Sequence, residues 1–182
     1  ATALMRLADT EVAQKDYEAA IATLRQAIAN DPEQSRGLVA LAKTFVMSGH
    51  PEDAIAEARK LQKDHPDRAL GYALEGEVLA TQAKWPEAAA AYRDAITREP
   101  IPSIAVRRYE ALQKVGPADA KAFAAQWTKD HPKDITLIAY LAQQSLARKD
   151  YRSAISNYEA ALTLHPDNTV ILTNLAWVLA KK

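Results

Sequence analysis

The chain has 182 residues, with 23 basic and 23 acidic side chains and a formal net charge of zero. That balance removes the bulk electrostatic case for a nucleic-acid binder, and the absence of cysteine excludes disulfides and thiolate metal sites. Hydrophobic residues make up 48% with only five glycines, which suits closely packed helices, and no apolar run approaches the roughly 20 residues of a membrane span.

Pro32, Pro66, Pro100, Pro132 and Pro166 stand 34, 34, 32 and 34 residues apart. A period of this length means one small structural unit copied along a line. The predicted repeats cover residues 1–34, 35–68, 69–102, 103–134 and 135–168, followed by a lone first helix at 169–182. The first carries Leu7-Ala8, the turn Lys15-Asp16, then Tyr17, Ala20, Leu24 and Ala27. The second carries Leu41-Ala42, the turn Gly49-His50, then Pro51, Ala54 and Leu61. The third carries Gly76, then Trp85-Pro86, Ala88, Tyr92 and Ala95. Small residues recur because two antiparallel helices approach closely only where their crossing point lacks bulk.

The fourth repeat is two residues short, since Pro100 to Ala120 is 20 residues where Pro66 to Ala88 is 22. The loss falls in its first helix or its turns. Trp127 also stands where the other repeats mostly place alanine, so a local change in helix packing and a bend are expected there. The fifth repeat fits best, with Leu141-Ala142, Lys149-Asp150-Tyr151, Ala154, Tyr158, Ala161 and Pro166. In the last segment Val170, Ile171, Leu172, Leu175, Trp177, Val178 and Leu179 are apolar on nearly every face, so this helix expects cover on both sides. Asp16 and Asp150 suit the N-cap of a second helix. Pro51, Pro86 and Pro117 suit its first turn, and Pro102 belongs to the loop after Pro100. The chain begins with Ala1 and shows no signal peptide; it reads as a processed or excised piece of something longer.

This pattern of aromatic, leucine, small residue, alanine and proline resembles the tetratricopeptide repeat along the whole chain. The resemblance implies an all-α, right-handed α-solenoid of about 11 helices forming one domain over 1–182, with a concave groove lined by first helices. Groove positions carried over from the family are Met5, Arg6 and Asp9, then Arg36, Val39 and Lys43, then Leu70, Leu74 and Glu77. Tyr140 and Gln143 follow in the fifth repeat, and Thr173, Asn174 and Trp177 in the last helix. Arg107 and Arg108 belong to the repeat that loses register. The carboxylate clamp of chaperone-tail binders would need basic and asparagine residues where this chain has Met5, Asp9, Ala40, Leu70 and Leu74. The stretches Gly71–Glu77, Trp85–Arg93 and Asn174–Ala180 resemble bacterial TPR lipoproteins of the PEP-CTERM/exosortase system, linked to exopolysaccharide export. That resemblance implies a location in the periplasm or lipid-anchored outside the cytoplasm.

The chemistry-bearing residues point away from catalysis. His65, His131 and His165 share one repeat position, just before the proline, and so stand about one repeat apart, too far to share a metal. His50 lies in a turn. Glu52-Asp53 suits the positive end of a helix dipole. No phosphate loop, nucleophile elbow or His-Glu-x-x-His motif occurs. The expectation is a non-enzymatic scaffold without cofactor or metal, binding a protein or peptide in its groove, with no nucleic acid and no membrane span. The alternatives are a structural spacer, self-association through the last helix, and a solenoid that contacts polysaccharide.

Overall fold

The computed structural model describes residues 2–31 and 35–181. Among these residues there are eleven helices and no strand. They are α1 (Thr2–Ala13), α2 (Tyr17–Asn30), α3 (Ser35–Met47), α4 (Pro51–Asp64), α5 (Ala69–Thr81), α6 (Trp85–Arg98), α7 (Pro102–Val115), α8 (Pro117–Asp130), α9 (Thr136–Ala147), α10 (Tyr151–Leu164) and α11 (Thr169–Lys181). The chain divides into two compact units, Ala1–Glu99 and Pro100–Lys182. In the first, α3 packs on α2 and α4, and α5 on α4 and α6; in the second, α7 packs on α8, α9 on α10, and α10 on α11.

Local chemistry sets the helix ends. The side chain of Asp16 accepts a hydrogen bond from the Ala19 backbone N–H at 3.2 Å, and that of Asp150 from Ser153 at 3.1 Å. Each satisfies one of the orphan donors of its second helix. Pro51 and Pro117 open α4 and α8, and Pro86 is the second residue of α6. A proline there forfeits no helical hydrogen bond. Pro66, Pro100, Pro132 and Pro166 lie between a second helix and the next first helix, while Pro32 lies outside the described residues. Pro102 is not a loop residue: it is the first residue of α7.

Four of the turns within helix pairs are made alike. Three residues separate the helices, and the middle one has positive φ: Lys15 at 63°, Gly49 at 85°, Ala83 at 56° and Lys149 at 60°. The fourth repeat differs. There α7 ends at Val115 and α8 begins at Pro117, so Gly116 alone connects them. The missing two residues are therefore lost from the turn, and α7 ends at the same repeat position as α1, α3, α5 and α9. Arg107 and Arg108 keep their register.

Packing follows the small-residue positions. Ala8, Ala20, Ala42, Ala54, Ala88, Ala120, Ala142 and Ala154 are all buried. At Gly76 a Cβ would lie 2.7 Å from the Tyr92 ring, so only glycine lets α5 and α6 approach this closely. The bulk alternates along the chain. The pair of second-helix positions filled by Leu24/Ala27, Tyr92/Ala95 and Tyr158/Ala161 is large then small. In the intervening repeats Ala58/Leu61 and Ala124/Trp127 reverse it. Trp127 is thus buried, with its indole N–H donating to Asp134 Oδ2 at 2.8 Å and its face stacked on His131 at 3.8 Å.

Two repeat positions that are buried elsewhere are exposed in the outermost described helices. Leu7 is exposed, since among the described residues no helix precedes α1 to cover it, whereas Leu41 shares a core with Leu24 and Ala27 of α2. Ala176 is exposed, because no second helix covers α11 among the described residues. Val170, Leu172, Trp177 and Leu179 are exposed on the same helix.

Candidate functional site

The first helices present the side chains that packing leaves over. In the unit Ala1–Glu99, Arg6, Asp9, Arg36, Lys43 and Glu77 are exposed, and Val39 and Leu70 are half-buried. Arg36 Nη2 reaches Asp9 Oδ2 at 3.9 Å, which joins the faces of α3 and α1 by an exposed pair of small energetic weight. Met5 and Leu74 are not surface residues: both lie in the apolar core of this unit with Leu24, Leu41 and Phe45. Gly37 on α3 makes room mainly for Ile28, whose Cγ1 would lie 3.0 Å from a Cβ there, and Met5 Sδ packs beside it at 4.0 Å.

In the unit Pro100–Lys182 the first helices build a hydrogen-bonded cluster. Tyr140 on α9 donates its hydroxyl to Glu110 Oε1 at 2.9 Å, and Arg107 Nη1 donates to Glu110 Oε2 at 3.1 Å. Gln113 donates to the Tyr109 hydroxyl at 2.8 Å, and the Tyr109 and Tyr140 rings meet edge to face at 6.1 Å. Burial pushes the Tyr140 hydroxyl up to about 12, helped by its hydrogen bond to Glu110 and by that carboxylate's charge. Arg108 turns away from this cluster and lays its guanidinium 4.4 Å from the centroid of Phe123 on α8. Gln143 is exposed and Asn174 half-buried. Trp177 is 51% exposed, with Lys181 Nζ 5.6 Å from its ring centroid.

Glu110 is the member that sequence reasoning missed. The signal was present: it occupies the position held by Ala8, Ala42, Gly76 and Ala142 in the other repeats. A carboxylate in a small-residue slot must leave the helix crossing and find donors, and here it finds Tyr140 and Arg107.

Other polar groups serve structure. His131 stacks on Trp127, and His165 Nε2 lies 2.8 Å from the Lys133 carbonyl oxygen. His50, Glu52 and Asp53, all exposed, bring one donor atom each within 4.8 Å of one another at the start of α4. The positive end of the α4 dipole favours those carboxylates and opposes a cation. A cleft of about 370 Å³ is lined by α2, α3 and α4 over Ile28, Leu38 and Leu41, with Arg25 and Glu57 in its lining 3.4 Å apart. No helix among the described residues is long and apolar enough to cross a membrane. The first-helix faces offer charge, amides and exposed aromatic surface, which are the means of recognition.

Residues 11–78 match the family model described as Tetratricopeptide repeat. Among curated proteins the chain is similar to the Tetratricopeptide repeat protein 21 homologs of Caenorhabditis briggsae and Caenorhabditis elegans. Identity is 28% in both cases, over 87% and 97% of this chain. The chain spans only 12% and 14% of their lengths. Among solved structures it resembles TTC0263, a thermophilic TPR protein of Thermus thermophilus, with a TM-score of 0.58 at 20% identity over 98% of each chain. Yeast Tom70 superposes with a TM-score of 0.68 at 18% identity, covering 98% of this chain and 39% of that one. PilF of Pseudomonas aeruginosa gives 0.57 at 22% identity, covering 98% and 84%. At these identities the structural likeness is one of fold.

Proposed function

We propose that this tetratricopeptide-repeat chain is a non-enzymatic scaffold that holds a peptide or protein segment against its first-helix faces. The observation that carries this reading is a division of labour within each helix pair. Alanine-sized positions are consumed by packing, while Arg6, Arg36, Lys43, Gln143 and Trp177 are left in solvent on the first helices. Arginine and aromatic side chains are the types that anchor interfaces. The test uses a peptide selected against the wild-type chain from a random library. Charge reversal at Arg36 and Lys43 together should weaken it about tenfold, which is about 1.4 kcal/mol, without lowering the melting temperature. Unchanged affinity overturns the groove.

A second reading is favoured by α11, whose exposed Leu172 and Leu179 flank Ala176 on the face that a second helix covers in the complete pairs. In this reading the helix mediates self-association. Sedimentation across a concentration series decides, because a chain that stays monomeric removes it. The finer assignment, to a segment of a bacterial export lipoprotein associated with exopolysaccharide, is supported by the stretches Gly71–Glu77, Trp85–Arg93 and Asn174–Ala180. A lipobox upstream of Ala1 in the parent reading frame supports it; a cytosolic reading frame overturns it.

A further inference from the structure

The fourth repeat keeps its place in the chain but not its facing. In the other helix pairs the eighth residue of the first helix packs with its own second helix. Ala8 shares a core with Leu24 and Ala27, Ala42 with Ala54 and Ala58, and Ala142 with Ala154 and Tyr158. A Cβ on Gly76 would lie 2.7 Å from the Tyr92 ring of α6. In α7 the eighth residue is Glu110, and it turns to α9, accepting from the Tyr140 hydroxyl at 2.9 Å. It is Arg108 that meets α8, with its guanidinium 4.4 Å from the centroid of Phe123.

The pattern of exposure turns with it. At the ninth position Asp9, Lys43, Glu77 and Gln143 are exposed, while Ala111 is 1% exposed. At the twelfth Val12, Val46, Ala80 and Leu146 are half-buried, while Lys114 is exposed. At the fifth Met5 is buried and Val39, Ala73 and Ala139 are half-buried, while Arg107 is exposed. Relative to the other first helices α7 is therefore turned about its own axis, by roughly the 100° that separates successive residues of a helix.

The cause is local. A carboxylate in a crossing shaped for alanine would lose water without gaining a donor, and its bulk would hold the two helices apart. Turned out of the crossing, Glu110 is half-buried and accepts from Tyr140 through Oε1 and from Arg107 Nη1 through Oε2. Ala111, the next residue, supplies a small side chain to the face that is then buried.

We infer that Glu110 is a positioning residue that sets the rotation of α7, and so decides which side chains the fourth repeat shows. With Glu110 in place the repeat shows Ser103, Arg107 and Lys114 and withdraws Ala111. With alanine there, α7 turns back to the facing of α1, α3, α5 and α9, which withdraws Lys114 and brings position 111 into solvent. The rotation needs no ligand and is independent of whether the chain serves as a scaffold.

The full chain has no cysteine, so one introduced thiol reports one position. Ala111→Cys and Gln143→Cys are compared for their rates of reaction with a maleimide, each in chains carrying Glu110, Glu110→Ala or Glu110→Gln. With Glu110 the Ala111→Cys thiol should react at least about tenfold slower than the Gln143→Cys thiol, because access limits the rate. In Glu110→Ala the two rates should converge. In Glu110→Gln, which keeps the bulk and an acceptor, the difference should remain. A sulfur at position 111 adds bulk to a buried site, so nuclear Overhauser contacts between the Arg108 side chain and the Phe123 ring are read in cysteine-free chains as well. They should vanish in Glu110→Ala and persist in Glu110→Gln. Equal thiol rates with Glu110 in place overturn the turned facing itself. Slow labelling and intact Arg108–Phe123 contacts in Glu110→Ala overturn the role of Glu110 and leave the Gly116 connector to hold α7. Glu110→Gln behaving as Glu110→Ala overturns that role too.

Discussion

The Glu99 carboxylate, just past the end of α6, accepts a hydrogen bond at 2.6 Å from the backbone N–H of Ala69, the first residue of α5, thirty residues earlier in the chain. The N-cap of α5 is Arg68, which makes no side-chain capping bond, so a residue from the companion helix supplies what a local serine or aspartate would. Arg68 Nε stands 3.5 Å from the other oxygen of Glu99 and steadies it. Glu99→Ala should cost about 1–2 kcal/mol by denaturant unfolding, and Glu99→Gln less, because it keeps an acceptor. A Glu99→Ala chain as stable as wild type would show that the bond carries nothing.

Gly76 and Tyr92 predict a paired effect. Gly76→Ala improves helix propensity by about 1 kcal/mol but places a methyl group 2.7 Å from the ring. The clash should win, with a net loss of about 1–2 kcal/mol. Adding Tyr92→Leu to that variant should recover part of the loss. Additive losses in the double-mutant cycle would place the cost elsewhere.

The left-handed turn residues give a prediction of opposite sign. Ala83 sits at φ 56°, where a Cβ crowds the backbone, so Ala83→Gly should raise stability by about 0.5–1 kcal/mol after the entropy of glycine is deducted. Gly49→Ala, at φ 85°, should lower it. Matching effects of the same sign at both turns would refute the argument from backbone strain.

Asp150 makes stability depend on acid. Its carboxyl is held below the usual carboxylate range by hydrogen bonds from Ser153, first through the side chain and then through the backbone N–H. A group with a depressed folded value stabilises above its unfolded value, and that contribution disappears as pH falls through the folded one. The melting difference between wild type and Asp150→Ala should therefore be full at neutral pH and shrink below about pH 4. A difference that persists unchanged into strong acid would exclude this linkage.

Tyr140 reports on the Glu110 cluster from the alkaline side. Its folded value of about 12 lies above the ordinary 10, so its contribution is complete below pH 10 and fades as pH rises towards 12. Glu110→Gln removes the anion but leaves the burial, so it should lower the titration midpoint of Tyr140 part of the way. Ultraviolet difference titration, with Tyr140→Phe to assign the signal, measures this. A midpoint unmoved by Glu110→Gln would leave burial as the whole cause.

Sequence periodicity made the helix pairs, the caps at Asp16 and Asp150 and the buried alanines legible, because each depends on a few neighbouring residues. What it hid depends on neighbours in space. Met5 looked like a groove residue, yet it lies in one core with Leu24, Leu41 and Phe45. Leu7 matches Leu41 in repeat position, yet among the described residues it has no preceding helix such as the α2 that shares a core with Leu41. The shortened repeat seemed to put Arg107 and Arg108 out of step, but Gly116 absorbs the whole loss in the turn. Glu110 was visible as a misfit and readable as a hub only once α9 brought Tyr140 to it.

The alternation of bulk, Leu24, Tyr92 and Tyr158 against Ala58 and Ala124, has an evolutionary corollary. Repeats of the two kinds are not interchangeable tiles, since each second helix is built around its own order of large and small side chains. A duplication that copies the two kinds together would keep that order intact.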